Sequence, residues 1–290
     1  MSLRRVLKDD KFAVTIQIDP AKGVDVTEFL NSVELLRGKA DAINVSDQQS
    51  AVMRLGSLAG CCLLKQRGIE PVLHMTCRDR NRIALQSDLL NAYVLGIENI
   101  LCLTGDDINS GDHRQQAKPV FDLNDSVSLL QAARGLEQGK DLAGRELRGA
   151  PRFFLGATVT PGADPLEPEL LKMEKKVEAG AQFFQTRTVY EPQKLETFMQ
   201  EARKFGVPVI VGLMLLKSAS MARFMNTHLT GICVPSELID EIEEAKNKEQ
   251  KSIDMAARLI NEMKDMCQGI HIMAMGWESR VAAILDTAGL

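Results

Sequence analysis

The side chains with chemistry to offer recur at one kind of place, just after short apolar runs. In chain order these places are Gln17 and Asp19, Ser46 and Asp47, His74 to Asp79, Gly105 to Asp107, Thr158 to Asp164, Gln185 to Tyr190, Met214 to Lys217, and Met273 to Trp277. They supply carboxylates able to act as acids or bases, together with amides, hydroxyls and cations able to contact a ligand. Each also has a plain structural reading. His74 ends an apolar run and could be a satisfied core residue. Asp106 and Asp107 follow a glycine, as turn-forming aspartates do. Lys175 and Lys176 lie between Glu174 and Glu178, the pattern of a solvated helix face. Repetition after successive apolar runs, rather than any one residue, marks these positions as a set.

The elements that must position them follow from the hydrophobic pattern. Apolar, strand-length runs occur at Ala13–Asp19, Ala42–Val45, Pro71–Thr76, Asn99–Thr104, Phe153–Val159, Gln182–Thr186, Pro208–Leu213 and Ile270–Met273. Most are continuously apolar, as strands covered on both faces are. Helical patterns fill the gaps at Asp25–Leu36, Ala51–Lys65, Asn81–Leu95, Ser126–Gly135, Pro168–Ala179, Pro192–Phe205, Ser218–Asn226 and Lys251–Met266. Gly96, Gly180 and Gly206 supply C-terminal stops. Strands alternating with helices in this way predict a single-domain (β/α)8 TIM barrel over residues 1–290, with an extra helical segment near residues 235–248. A doubly wound sheet is the alternative, but the first strand lacks a following glycine-rich phosphate loop. In a barrel the C-terminal strand ends meet at one mouth, where active sites lie.

Composition narrows the function classes. The chain has 290 residues, 45% hydrophobic and 26% charged, with a formal net charge of −4. With no long block of like charge, nucleic acid and anionic membranes are not expected as main partners. No apolar run has the roughly 20 residues of a membrane span. Residues 1–10 are not followed by the apolar core of a signal peptide, so the expected location is the cytoplasm. Cys61, Cys62, Cys77, Cys102, Cys233 and Cys267 show no C-x-x-C spacing and are expected as buried, reduced thiols without a metal.

From HMTCRDRNR (His74–Arg82) onward the sequence resembles methylenetetrahydrofolate reductases. The likeness runs through LTGDD (Leu103–Asp107), PGADP (Pro161–Pro165), KMEKKVEAGAQFFQT (Lys172–Thr186), VYEPQKLETF (Val189–Phe198) and HIMAMGWES (His271–Ser279). The closing segment is similar to the branch common in anaerobes, which works with a separate iron–sulfur protein. The resemblance implies a flavin, FAD or FMN, at Ser46, His74, Thr76, Gly105, Asp106, Ala157, Thr158, Glu169, Lys172 and Lys176. It places Gln17, Asp106, Gln185 and Arg187 at the folate. The implied reaction reduces 5,10-methylenetetrahydrofolate to 5-methyltetrahydrofolate, a one-carbon step feeding methionine biosynthesis. Electrons would come from a flavoprotein or iron–sulfur partner, and the chain would form a homo-oligomer or hetero-complex.

Three positions depart from the family pattern. Gln17, in VTIQIDP, stands where the family places a glutamate acid, and an amide cannot deliver that proton. Asp19, two residues on and facing the same side, or Asp106 would take its place. Arg187, in FFQTRTVY, stands where the family has a folate-contacting glutamine, and a guanidinium only donates. Thr160 replaces an asparagine before PGADP. No counterpart of a nicotinamide-stacking aromatic is evident around Lys217–Met221. The resemblance therefore carries three expectations: a working reductase, a non-catalytic flavin- or folate-binding subunit of a redox complex, or a barrel enzyme for another pterin one-carbon carrier.

Overall fold

The computed structural model describes residues 2–229 and 231–290. Eight parallel strands close into a barrel in sequence order, each pairing with the next and the last with the first. They are β1 (Ala13–Ile18), β2 (Ala42–Val45), β3 (Pro71–Thr76), β4 (Asn99–Leu103), β5 (Phe154–Val159), β6 (Phe183–Thr188), β7 (Val209–Met214) and β8 (Gly269–Met273). The eleven α-helices among the described residues are α1 (Leu3–Lys8), α2 (Thr27–Leu35), α3 (Ser57–Gln66), α4 (Arg82–Val94), α5 (Ser126–Glu137), α6 (Glu167–Glu178), α7 (Pro192–Ala202), α8 (Ala219–His228), α9 (Ser236–Glu244), α10 (Lys248–Met263) and α11 (Val281–Ala288).

The period of two along each strand divides the core. Ile16, Ile43, Leu73, Ile100, Leu155, Phe184, Val211 and Ile270 join the large cluster between sheet and helices. Ala13, Ala42, Val72, Leu101, Phe154, Phe183 and Ile210 fill the foot of the barrel. Phe154 and Phe183 stack there with centroids 4.8 Å apart. Gly156 makes room for them, since a Cβ there would lie 2.2 Å from the Phe183 ring. Leu3, Val6 and Leu7 of α1 join this inner cluster and close the foot.

The helical pattern expected over Ala51–Lys65 begins late, at Ser57. Gln48, Ser50 and Ala51 have positive φ, and Gly56 is extended, so residues 46–56 form a loop at the mouth. The pattern over Lys251–Met266 begins earlier, at Lys248, because Asn247 caps it by accepting from the Gln250 amide at 3.1 Å. The terminal helices α1 and α11 escaped the pattern because each is short, at 6 and 8 residues. Cys61, Cys77, Cys102 and Cys267 are buried, but Cys233 is exposed, because its loop between α8 and α9 lies at the surface.

Candidate functional site at the barrel mouth

Above the apolar foot lies a buried polar layer. Asn44 of β2 reaches across the barrel, donating from Nδ2 to Gln185 Oε1 of β6 at 2.8 Å. The same Nδ2 lies 2.8 Å from His74 Nε2. Gln185 Nε2 donates to Thr15 Oγ1 at 3.3 Å, and Thr15 Oγ1 lies 2.9 Å from His271 Nδ1. Burial lowers the pKa of His74 and of His271 to about 3, and for His271 the neighbouring His74 adds to the effect. Both rings are therefore neutral at physiological pH. With Asn44 donating, His74 Nε2 accepts and its proton resides on Nδ1.

Over this layer, the loops after β1 to β4 are bonded to one another. Gln17 Nε2 donates to Gln49 Oε1. Asp19 accepts from Ser46 Oγ at 2.6 Å and lies 4.0 Å from Arg54 Nη2. Asp47 is buried, accepting from the Thr76 amide at 2.8 Å, from Thr76 Oγ1 at 3.0 Å, and from Arg80. The Asp106 carboxylate accepts from the Ser50 amide at 2.7 Å. Lys22 pairs with Asp112, which also accepts from the Met53 amide at 3.2 Å. Where Gly111 passes Ala51, a Cβ would stand 1.9 Å from the Ala51 carbonyl oxygen.

The β5 to β8 side is built differently. Residues 169, 172, 173 and 176 share one face of α6 by their spacing, and Met173 anchors that face in the core. Glu169 accepts from the Thr160 amide at 2.9 Å, and Lys176 Nζ donates to the Thr158 carbonyl at 2.7 Å. Desolvation lowers the pKa of Lys176, while Glu169 opposes that shift. Lys172 is exposed, with its Nζ 3.8 Å from Glu169. On β6 the register to β7 slips between Gln185 and Thr188. Thr186 Oγ1 takes the Gly212 amide there at 2.9 Å. Such a bulge re-aims the neighbouring side chain, and Arg187 emerges exposed at the mouth. The Lys217 ammonium stands 5.2 Å from the Trp277 ring centroid.

The residues singled out from sequence therefore sit at three depths. Gln17, Asp19, Ser46, Thr76, Gly105, Asp106, Thr158, Glu169, Lys172, Lys176 and Arg187 lie at the mouth or its rim. His74 and Gln185 lie one layer below, bonded within the barrel. The Ala157 side chain points outward into the core beneath the helices, which leaves its backbone as the part nearer the mouth. Sequence reasoning passed over Gln49 and Asn44. It gave Arg78 and His271 no role of their own, although Arg78 fell within the strand end His74 to Asp79 and His271 within the last motif. The period of two from Gln17 and His74 could have found Asn44 and the inward face of His271, whereas Gln49 lies in a loop that carries no periodic signal. Trp277 supplies aromatic surface at the mouth from the β8 side, rather than from the loop after β7. Two surface clefts, of about 280 Å³ beside Lys11 and Gln268 and about 520 Å³ between α5 and α6, lie away from this mouth.

An in-order eight-stranded β/α barrel with a polar layer and an acid- and cation-lined mouth is the framework of a small-molecule-binding barrel protein. The methylenetetrahydrofolate reductase family profile matches residues 2–289, and the chain belongs to that family. Methylenetetrahydrofolate reductase 2 of Schizosaccharomyces pombe is 28% identical over 77% of this chain and 36% of its own length. Methylenetetrahydrofolate reductase (NADH) 1 of Zea mays is 26% identical over 77% of this chain and 38% of its own length. The match thus covers well under half of either relative. Among solved structures, a Clostridium thermocellum protein that binds two copies of 5-methyl-5,6,7,8-tetrahydrofolic acid superposes with a TM-score of 0.66 at 16% identity. That alignment covers 100% of this chain and 99% of the other. A 2,3-dimethylmalate lyase superposes with a TM-score of 0.56 at 14% identity, covering 99% and 87%. At these identities the structural likeness speaks to fold.

Proposed function

We propose that this barrel is a flavin-dependent methylenetetrahydrofolate reductase that converts 5,10-methylenetetrahydrofolate to 5-methyltetrahydrofolate in cytoplasmic one-carbon metabolism. The observation that carries the reading is the convergence of Gln17, Asp106 and Arg187 with the α6 lysines on one barrel mouth, in a chain matched by the family over residues 2–289. The donor set fits an anionic cofactor. Lys172 is exposed at the rim one turn before Lys176, beside a β5 exit whose Thr158 carbonyl and Thr160 amide are already held by α6. These lysines would hold the phosphate of FAD or FMN, with Thr76, Gly105 and Asp106 toward the ring. When bound, the flavin supplies the hydride. Asp106 and Arg187 would orient the folate, and Asp19 or Asp106 would provide the proton that Gln17 cannot. Electrons would come from a flavoprotein or iron–sulfur partner, as in the anaerobe-type branch, within a homo-oligomer or hetero-complex.

One observation favours a second reading, a flavin- or folate-binding subunit without turnover. The position of the family acid holds an amide bonded to a second amide, Gln49, and both nearby carboxylates already have partners, Asp19 with Ser46 and Asp106 with the Ser50 amide. The test is the visible spectrum of the purified protein, followed by anaerobic 5-methyltetrahydrofolate. Flavin absorbance that bleaches supports the reductase. Flavin that stays oxidised supports the binding subunit. A protein that takes up neither FAD nor FMN on reconstitution refutes the cofactor assignment.

A further inference from the structure

Arg78, in the loop after β3, is 1% exposed. A buried guanidinium is tolerated only when its charge is neutralised and its donors are used. Asp79 neutralises it, accepting from Nε at 2.8 Å and Nη2 at 2.7 Å. Two of the remaining three donors go to backbone carbonyls of two different loops. Nη2 donates to the Gln48 carbonyl at 3.0 Å, and Nη1 reaches the Asp106 carbonyl at 3.4 Å. Gly105 keeps this place open, because a Cβ there would lie 2.9 Å from Arg78 Cβ.

Both partner loops lead to the mouth. Gln48, Ser50 and Ala51 have φ of 50°, 54° and 55°, a left-handed conformation that non-glycine residues keep only where surrounding bonds impose it. Within the segment, the Gln48 side chain takes the Arg54 amide at 2.6 Å and the Ala51 amide donates to the Gln48 carbonyl at 2.9 Å. The bonds that tie it to other loops include Arg78 on the Gln48 carbonyl and Asp106 on the Ser50 amide. Between them stands Gln49, the partner of Gln17. We propose that Arg78 is the positioning residue of the mouth. It locks the Gln48–Ala51 turn against Asp106 and, through Gln49, sets the direction of the Gln17 amide. Its importance for ligands rests on the reading of the mouth as the flavin and folate site; the locking itself does not.

The experiment is hydrogen exchange, followed by mass spectrometry, on the full chain and on Asp79→Asn, Arg78→Lys and Arg78→Met, with thermal melting of each. Losing a hydrogen bond of ordinary strength should accelerate exchange in peptides covering 46–54 and 104–112 by about tenfold. Peptides from β5 to β8 should be unchanged. Lysine keeps the charge beside Asp79 but lacks the fork that reaches both carbonyls, so Arg78→Lys should recover melting relative to Arg78→Met without restoring both segments. If Arg78→Met fails to fold, the other two variants decide. Unchanged exchange in both segments overturns the proposal. So does acceleration spread evenly through the barrel, which would make Arg78 a structural ion pair only. FAD and FMN are titrated into the same proteins. If the wild type binds neither while exchange changes as expected, the flavin reading fails and the positioning role stands. If the wild type binds flavin, the variants should bind it more weakly.

Discussion

The two halves of the barrel mouth are held in different ways. On the β1 to β4 side, each loop is bonded to a neighbouring loop. The Leu55 amide donates to the Ala21 carbonyl at 2.8 Å, Lys22 reaches the Met53 carbonyl at 3.1 Å, and Arg78 spans Gln48 and Asp106. On the β5 to β8 side, α6 braces the strand before it through Glu169 and Lys176, and Tyr190 Oη donates to the Met214 carbonyl at 2.7 Å. There Lys172 and Arg187 extend into solvent. One half uses its polar groups to fix geometry, and the other exposes Lys172 at its rim. Substitutions on the first side should therefore register mainly in stability, and those on the second mainly in binding.

The largest loss is expected from Asp47→Ala. It would strip the Thr76 amide of its acceptor and remove one carboxylate from Arg80, leaving buried donors unpaired. Breaking such a pair costs about 3 kcal/mol, readable from the midpoint of urea unfolding. A loss under about 1 kcal/mol would show that the roofed half is less tightly held than its bonds imply.

Next is pH, which acts on the layer beneath both halves. His74 and His271 titrate at about 3 in the fold, but near 6.5 in an unfolded chain. Between those values the unfolded state binds more protons, so stability is full above pH 6.5 and is lost as pH falls toward 3. Each histidine contributes a loss of up to about 1.4 kcal/mol per pH unit. Urea titrations at pH 6 and pH 5 should show this slope in the wild type and a flatter one in a His74→Gln, His271→Gln double variant. Equal slopes would place the acid sensitivity elsewhere.

How far the sequence could take a reader follows the same division. The strands stand within two residues of their apolar runs, because burial on both faces imposes a pattern that local composition displays. Gln17, Asp106 and Arg187 were legible because strand ends in a barrel converge. Three things were not. Gln49 lies in a loop whose left-handed turn is tied to other loops by Asp106 and Arg78, long-range contacts that leave no local trace. The choice between the core and ligand readings of His74, both open in the sequence, depends on an asparagine one strand away. The exposure of Arg187 at the mouth accompanies a bulge whose Gly212 amide is taken by the Thr186 hydroxyl, and threonine is an ordinary strand residue.

A smaller effect is expected on the open side. Lys176→Met removes the donor to the Thr158 carbonyl and should lower stability by about 1 kcal/mol. Lys172→Ala should leave the melting temperature unchanged, because its exposed pair with Glu169 contributes little, yet weaken flavin uptake severalfold. Unchanged uptake in both variants would remove the α6 lysines from the cofactor site.

The smallest structural effect, and the sharpest chemical one, belongs to Gln17→Glu. The two side chains have the same shape, so stability should change by under about 1 kcal/mol. The new carboxylate cannot donate to Gln49 as the amide does. Rotation of the Gln49 amide would instead turn its NH2 toward the introduced carboxylate, converting an amide pair into a donor facing an acid. Combined with Arg187→Gln, the change restores both family residues and leaves Arg78 and its bonds to the Gln48 and Asp106 carbonyls in place. If the roofed half is already in its working geometry, anaerobic bleaching of bound flavin by 5-methyltetrahydrofolate should accelerate by about 10²-fold, the usual worth of a positioned acid. A wild type that already bleaches as fast as the double variant would show that Asp19 or Asp106 supplies the proton. A double variant that binds flavin and folate but does not bleach would count against the idea that these two residues alone separate a binding subunit from a reductase.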